Sequence, residues 1–166
     1  MSNMISSKNE YMSMSGGSMS MFINILCLSG GRIAAADSQK RIMVFLAEKN
    51  QSVCGLGTAG FDIAEIPWDK ATFDEDKAFL LNVIRGARLK LGWETLGYQP
   101  NEEFAAEYLD KLEKLIETMT TDDIRDDSLS DWLADADDND PINNGFPKCK
   151  IHDTYISIHG CQVCTD

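Results

Sequence analysis

The sequence predicts an α+β fold: a small antiparallel sheet packed against two helices, followed by an acidic segment and a cysteine-rich tail. Three observations support this. Short apolar runs of strand length occupy residues 21–28 (MFINILCL) and 40–47. Two longer stretches repeat apolar residues at helical spacing. The chain has 166 residues, enough for one domain with a small appendage.

From the N-terminus, residues 1–20 carry only Lys8 and Glu10 as charges among repeated Ser, Met and Gly, and read as a disordered leader. The main domain is expected over 21–119. Its first strand, 21–28, ends at Ser29-Gly30-Gly31. Its second, 40–47, turns through the polar tip 48–52 into a third at 53–56. Thr72-Phe-Asp-Glu75 has the form of a capping box, in which hydroxyl and carboxylate satisfy the first amides of a helix. Beyond it, Phe79, Leu80, Val83, Ile84, Ala87 and Leu91 line one helical face, and Gly92 is a plausible stop. Pro100, Asn101 and Glu102-Glu103 announce a second helix with apolar positions at Phe104, Tyr108, Leu109, Leu112, Leu115, Ile116 and Met119.

Charge has an address. The net charge is −12. In residues 120–145, nine Asp against Arg125 alone leave −8. Such a block repels itself, so 120–145 is expected to be a linker with at most one short helix near 129–134. Acidity on this scale argues against nucleic acid as a direct partner, because phosphate binding needs clustered Lys and Arg. It also argues against an anionic membrane surface. A basic protein partner is the complementary expectation. Trp132, alone among carboxylates, marks its docking point together with Asp135, Asp137 and Asp138.

The tail, 146–166, holds the sharpest pattern: Cys149-x2-His152, eight residues, then Cys161-x2-Cys164. Zinc takes four tetrahedral ligands from thiolates and imidazoles, and a two-residue gap lets both side chains of a tight turn reach one ion. Cys149, His152, Cys161 and Cys164 are the expected ligands of a structural Zn2+, and His159 is the rival to His152. Four protein ligands leave no open position for catalysis. In this spacing the tail resembles the knuckles of zinc ribbons and treble-clef fingers. An odd count of five cysteines, three of them here, fits a metal site in the reducing cytoplasm better than a disulfide framework.

Other motifs carry less. Residues 55–60 (GLGTAG) match G-x-G-x-x-G, but Pro67 leaves little room for the helix a dinucleotide site requires. An enzyme with a nucleotide at this loop is the remote alternative. Residues 135–140 resemble the start of a calcium loop, yet lack its Gly at position six and Glu at position twelve. Both histidines lie in the tail, so catalysis by a Cys–His pair at Cys27 or Cys54 would have to draw on it. Those two thiols are expected to be buried small hydrophobes.

In size and charge the whole chain is similar to the immunity proteins of bacterial toxin systems, a likeness of composition without a shared motif. It implies a non-enzymatic acidic protein that neutralises or docks a basic partner. The alternative implied by the tail is a zinc-ribbon adaptor or regulator in a transcription or phage assembly, binding through the surface between Ile151 and Ile158.

Overall fold

The computed structural model describes residues 3–165. Among them the chain forms β1 (Met4–Ser6), β2 (Tyr11–Ser13), α1 (Gly16–Ile33), α2 (Asp37–Glu48), β3 (Phe61–Asp62), α3 (Phe73–Arg88), α4 (Glu102–Glu117) and α5 (Ser128–Ala134), joined by short 3-10 turns. The fold is α+β. The sheet, however, is mixed rather than antiparallel. Its order is β2-β1-β3, with Ile5 opposite Met12 in the antiparallel pair and opposite Phe61 in the parallel one.

The two apolar runs expected as strands are helices. Residues 21–28 lie inside α1, whose first turn recruits the Ser- and Gly-rich residues before them. Ser15 caps it, its side chain accepting from the Ser18 amide. Every residue from Met21 to Gly31 is buried, because α2, α3 and α4 all pack on this helix. A helix apolar on all sides has the same continuous pattern as a buried strand, so periodicity cannot separate them. Residues 40–47 fall in α2, where Ile42–Ala47 are likewise buried. Residues 53–56 form no strand: a 3-10 turn spans Ser52–Cys54, and Leu56 is exposed.

The leader expectation is corrected as well. β1 and β2 lie within residues 1–20, and Ile5 and Met12 enter the main core. Residues 1 and 2 fall outside the described chain. The helices read from periodicity are present as α3 and α4. Asn101 caps α4, accepting from the Phe104 amide at 3.0 Å. Phe104 itself is exposed. The box at Thr72 does not close. Its hydroxyl instead donates to Asp76 Oδ2 at 2.8 Å, and Ser38 donates to Asp76 Oδ1 at 2.8 Å. The buried Asp76 carboxylate thus ties the start of α2 to the start of α3. Close approach of α1 and α3 relies on Gly86, where an added Cβ would lie 2.3 Å from Ser29 Oγ.

The acidic segment contains one short helix, α5, but it is seated on the body rather than extended. Ile124 is buried, Trp132 meets Phe45 edge-on at 6.4 Å between ring centroids, and Ser128 Oγ donates to the Ala64 carbonyl. Lys8 pairs with Asp123 and Lys70 with Asp126. Asp137 and Asp140 spend an oxygen each on local amides, those of Asn139 and Ile142. Self-repulsion is thus reduced by borrowed lysines and by turns that use the carboxylates as acceptors.

Candidate metal centre

The tail is built from two tight turns against the end of α1. In the first, the Asp153 amide donates to the Cys149 carbonyl at 2.8 Å, and Asp153 closes the turn at φ 59°. The Cys149 amide then donates to the Thr154 carbonyl at 2.8 Å, and Lys148 bridges antiparallel to Tyr155. In the second, Ser157 pairs with Gly160, and the Cys164 amide donates to the Cys161 carbonyl at 3.3 Å. Between the ligand pairs the chain forms only these isolated bridges.

The turns bring Cys149, His152, Cys161 and Cys164 together, with all four ligand atoms within 4.8 Å of one another. His152 Nδ1 lies 3.6 Å from Cys149 Sγ, 3.7 Å from Cys161 Sγ and 3.4 Å from Cys164 Sγ. Cys149 and Cys164 sulfurs are 3.5 Å apart. For Zn–S of about 2.3 Å and Zn–N of about 2.0–2.1 Å, tetrahedral angles put sulfurs roughly 3.8 Å apart and sulfur and nitrogen roughly 3.6 Å apart. The cluster therefore has the dimensions of one tetrahedral cage and is compatible with a structural metal ion such as zinc.

Electrostatics at the cage agree with a thiolate ligand. Burial by itself raises the Cys149 thiol, but the amides of His152 and Ile151, the His152 ring and the Cys164 thiol outweigh it and hold Cys149 at about 6. Cys164 is pushed up to about 12, first by burial and then by its sulfur neighbours. Three thiols this close cannot all ionise without a cation between them.

The cage is fastened to the main domain. Arg32 Nη1 donates both to the Leu28 carbonyl at 3.0 Å and to the His152 carbonyl at 2.9 Å. Lys148 Nζ donates to the Gly31 carbonyl at 2.7 Å. Two cations thus cover the end of α1, where the Gly31 carbonyl lacks a helical partner. Cys27, one turn earlier, is pushed up to about 12 by burial and then by nearby Cys161, partly offset by a hydrogen bond with Gln162. It is a buried thiol, as expected, though in a helix. Cys54 is not: it is exposed, and its sulfur lies 3.4 Å from His159 Nδ1. His159 therefore faces the 52–54 turn while His152 faces the cage.

Of the residues expected to meet a partner, the structure gathers Trp132 and Asp135. Both line an open cavity of about 240 Å³ with Glu48, Lys49, Asp140, Ile158 and His159. Trp132 Nε1 donates to Glu48 Oε2 at 3.1 Å. Asp137 and Asp138 do not join them; their backbone carbonyls accept from the Asn143 and Asn144 side-chain Nδ2 groups in the next turn. Burial raises the Glu48 carboxyl and nearby Asp140 adds to this, while the Trp132 indole and Lys49 act in the opposite direction. That Glu48, Asp140 and His159 meet Trp132 was not legible in the sequence, because nothing local links them to it. The GLGTAG loop leads into β3 instead of a helix, with Gly55 and Gly57 at φ 75° and 74°, so it lacks the context of a dinucleotide site.

Among known proteins, the chain matches no family model, no curated protein and no solved structure. The likeness to immunity proteins stays one of size and charge. No helix among the described residues is long and apolar enough to cross a membrane.

Proposed function

We propose that this protein is a non-enzymatic, acidic interaction protein of the cytoplasm that holds a structural zinc ion at Cys149, His152, Cys161 and Cys164 and docks a basic protein partner, as immunity proteins do. The observation that carries this reading is the cavity at Trp132. There an aromatic ring is presented beside Glu48 at the end of α2 and Asp135 and Asp140 of the acidic segment. Tryptophan is enriched among the anchors of protein interfaces, and opposite charge speeds encounter. A reducing compartment suits the reading, since all five cysteines are free and a zinc site needs its thiolates unoxidised.

The test is affinity capture with the zinc-loaded chain, followed by calorimetry with the purified partner at low and high salt. A partner of high isoelectric point, bound more weakly as salt rises and lost on Trp132→Ala, supports the reading. A partner whose binding ignores salt and Trp132 overturns it.

One observation favours the second reading, a zinc-ribbon adaptor. Ile151 and Ile158 are large apolar side chains on the knuckle that stay 68% and 52% exposed. If that surface is the interface, Ile151→Asp abolishes capture while Trp132→Ala leaves it intact.

A further inference from the structure

The cavity beside Trp132 and the metal cage share a segment of chain. Ile158 and His159 form one wall of the cavity, and they lie in the eight-residue loop between the ligands His152 and Cys161. The first half of that loop is fixed by the Cys149–Thr154 hydrogen bond, by the Ile156 amide donating to the Pro147 carbonyl at 3.2 Å and by the buried Tyr155, so the tip at 157–160 is its loosest part. The tip is held by the Ser157–Gly160 bridge, by the His159 amide donating to Ser157 Oγ at 3.1 Å, and by the His159–Cys54 contact. No disulfide closes it, since every cysteine is free. Closing a loop of this length costs chain entropy that a tetrahedral ion offsets by joining both ends at one point.

The opposite wall belongs to the body. Trp132 is held by Phe45 and Glu48, and α5 is held by Ser128 on Ala64. Three carboxylates, Glu48, Asp135 and Asp140, line the cavity against a single ammonium, that of Lys49, which sits 4.5 Å above the Phe45 ring. The lining thus combines excess negative charge with an indole, the pairing that receives a desolvated cation.

We propose that metal loading of the cage assembles this cavity by placing Ile158 and His159 opposite Trp132, and that the assembled cavity receives one guanidinium or ammonium side chain of the basic partner. The inference rests on the docking function above, and it adds that the zinc ion governs docking without touching the partner.

The experiment uses the full chain, zinc-loaded and chelator-stripped, with an arginine octapeptide as probe and an uncharged glycine–serine octapeptide as control. Three indole N–H signals are followed by NMR, the Trp132 signal being assigned by its loss in Trp132→Phe. Hydrogen exchange is measured alongside. The zinc-loaded chain is expected to shift its Trp132 signal with the arginine peptide only. Stripping is expected to weaken that binding about tenfold, the loss of one anchoring contact. It should also speed exchange over 155–160 while α3 and α4 stay protected. Equal peptide affinity and equal exchange in both forms overturn the proposal. If the metal alters exchange over 155–160 but the peptide leaves the Trp132 signal unmoved, the cationic occupant is wrong and the docking function loses its support. Should stripping unfold the chain throughout, the zinc-loaded double variant Ile158→Ala, His159→Ala decides. Unchanged peptide affinity overturns the proposal, and a loss of about tenfold upholds it.

Discussion

Gly31 and Asp153 touch through their backbones: a Cβ on Gly31 would lie 2.2 Å from the Asp153 carbonyl oxygen. A main-chain atom cannot swing aside as a side chain does, so the last turn of α1 and the first knuckle turn are fitted to each other across the absence of one methyl group. Gly31→Ala is expected to push the knuckle off the helix and to destabilise the protein by about 1–3 kcal/mol, the range for overpacking. Urea unfolding of the zinc-loaded variant measures this, and a competition titration with a zinc chelator should show weaker metal retention. A variant of native stability and native zinc affinity shows that the contact is dispensable.

Thiol accessibility separates the five cysteines. Cys54 and Cys164 are exposed and Cys27 is buried, but Cys164 faces Cys149 and Cys161 in the cage, where a bound ion would hold its sulfur. Brief alkylation of the native zinc-loaded chain should label Cys54 alone. After chelation, Cys149, Cys161 and Cys164 should be labelled too, with Cys27 following only on denaturation. Intact-mass and peptide mapping read the result. Rapid labelling of the three tail thiols in freshly purified, metal-containing protein counts against the cage.

Asp76 gives a pH dependence of definite sign. Burial raises its carboxyl above the usual value, against the hydrogen bonds from Ser38 and Thr72 and the attraction of Arg41. A carboxyl raised in the folded state contributes stability that is present below its unfolded pKa of about 3.9 and is lost as pH rises through the folded value. Asp76→Asn cannot titrate, so the native protein should gain stability relative to that variant as pH falls from 7 towards 4. Urea midpoints at the two pH values test this. A gap that moves the opposite way means the hydrogen bonds to the charged form dominate.

The cap of α4 is a local matter. Asn101 accepts from the Phe104 amide, and its loss leaves that amide to water. Asn101→Ala should cost about 1 kcal/mol of unfolding free energy and leave zinc retention unchanged. Chemical denaturation checks the first part and zinc competition the second.

The site and the fold differed in how far the sequence revealed them. The ligand set was legible because both halves are short-range: Cys149 and His152 share one turn, Cys161 and Cys164 another, and such spacing means little outside a metal knuckle. α3 and α4 were legible because each has one wet face, so apolar residues recur at helical period. α1 and α2 were misread as strands because burial on every side erases that period. The capping residue of α1, Ser15, lay in a stretch whose low charge suggested a leader. The 1–20 segment and the 120–145 segment were both read from composition, which registers polarity and repulsion but not the particular Ile5, Ile124 and Trp132 that find places on the body.

By itself, then, the sequence determined the local chemistry: which thiols and imidazole can share an ion, where two amphipathic helices run, and where negative charge accumulates. Tertiary structure decided everything that depends on distant neighbours. It made a helix of the buried run at 21–28, seated the knuckle against Gly31, and set Trp132 beside Glu48, 84 residues away in the chain. The physical reason is range: ligand spacing and helical period act within a few residues, whereas burial and the meeting of carboxylates in one cavity exist only once the core has brought separate segments together.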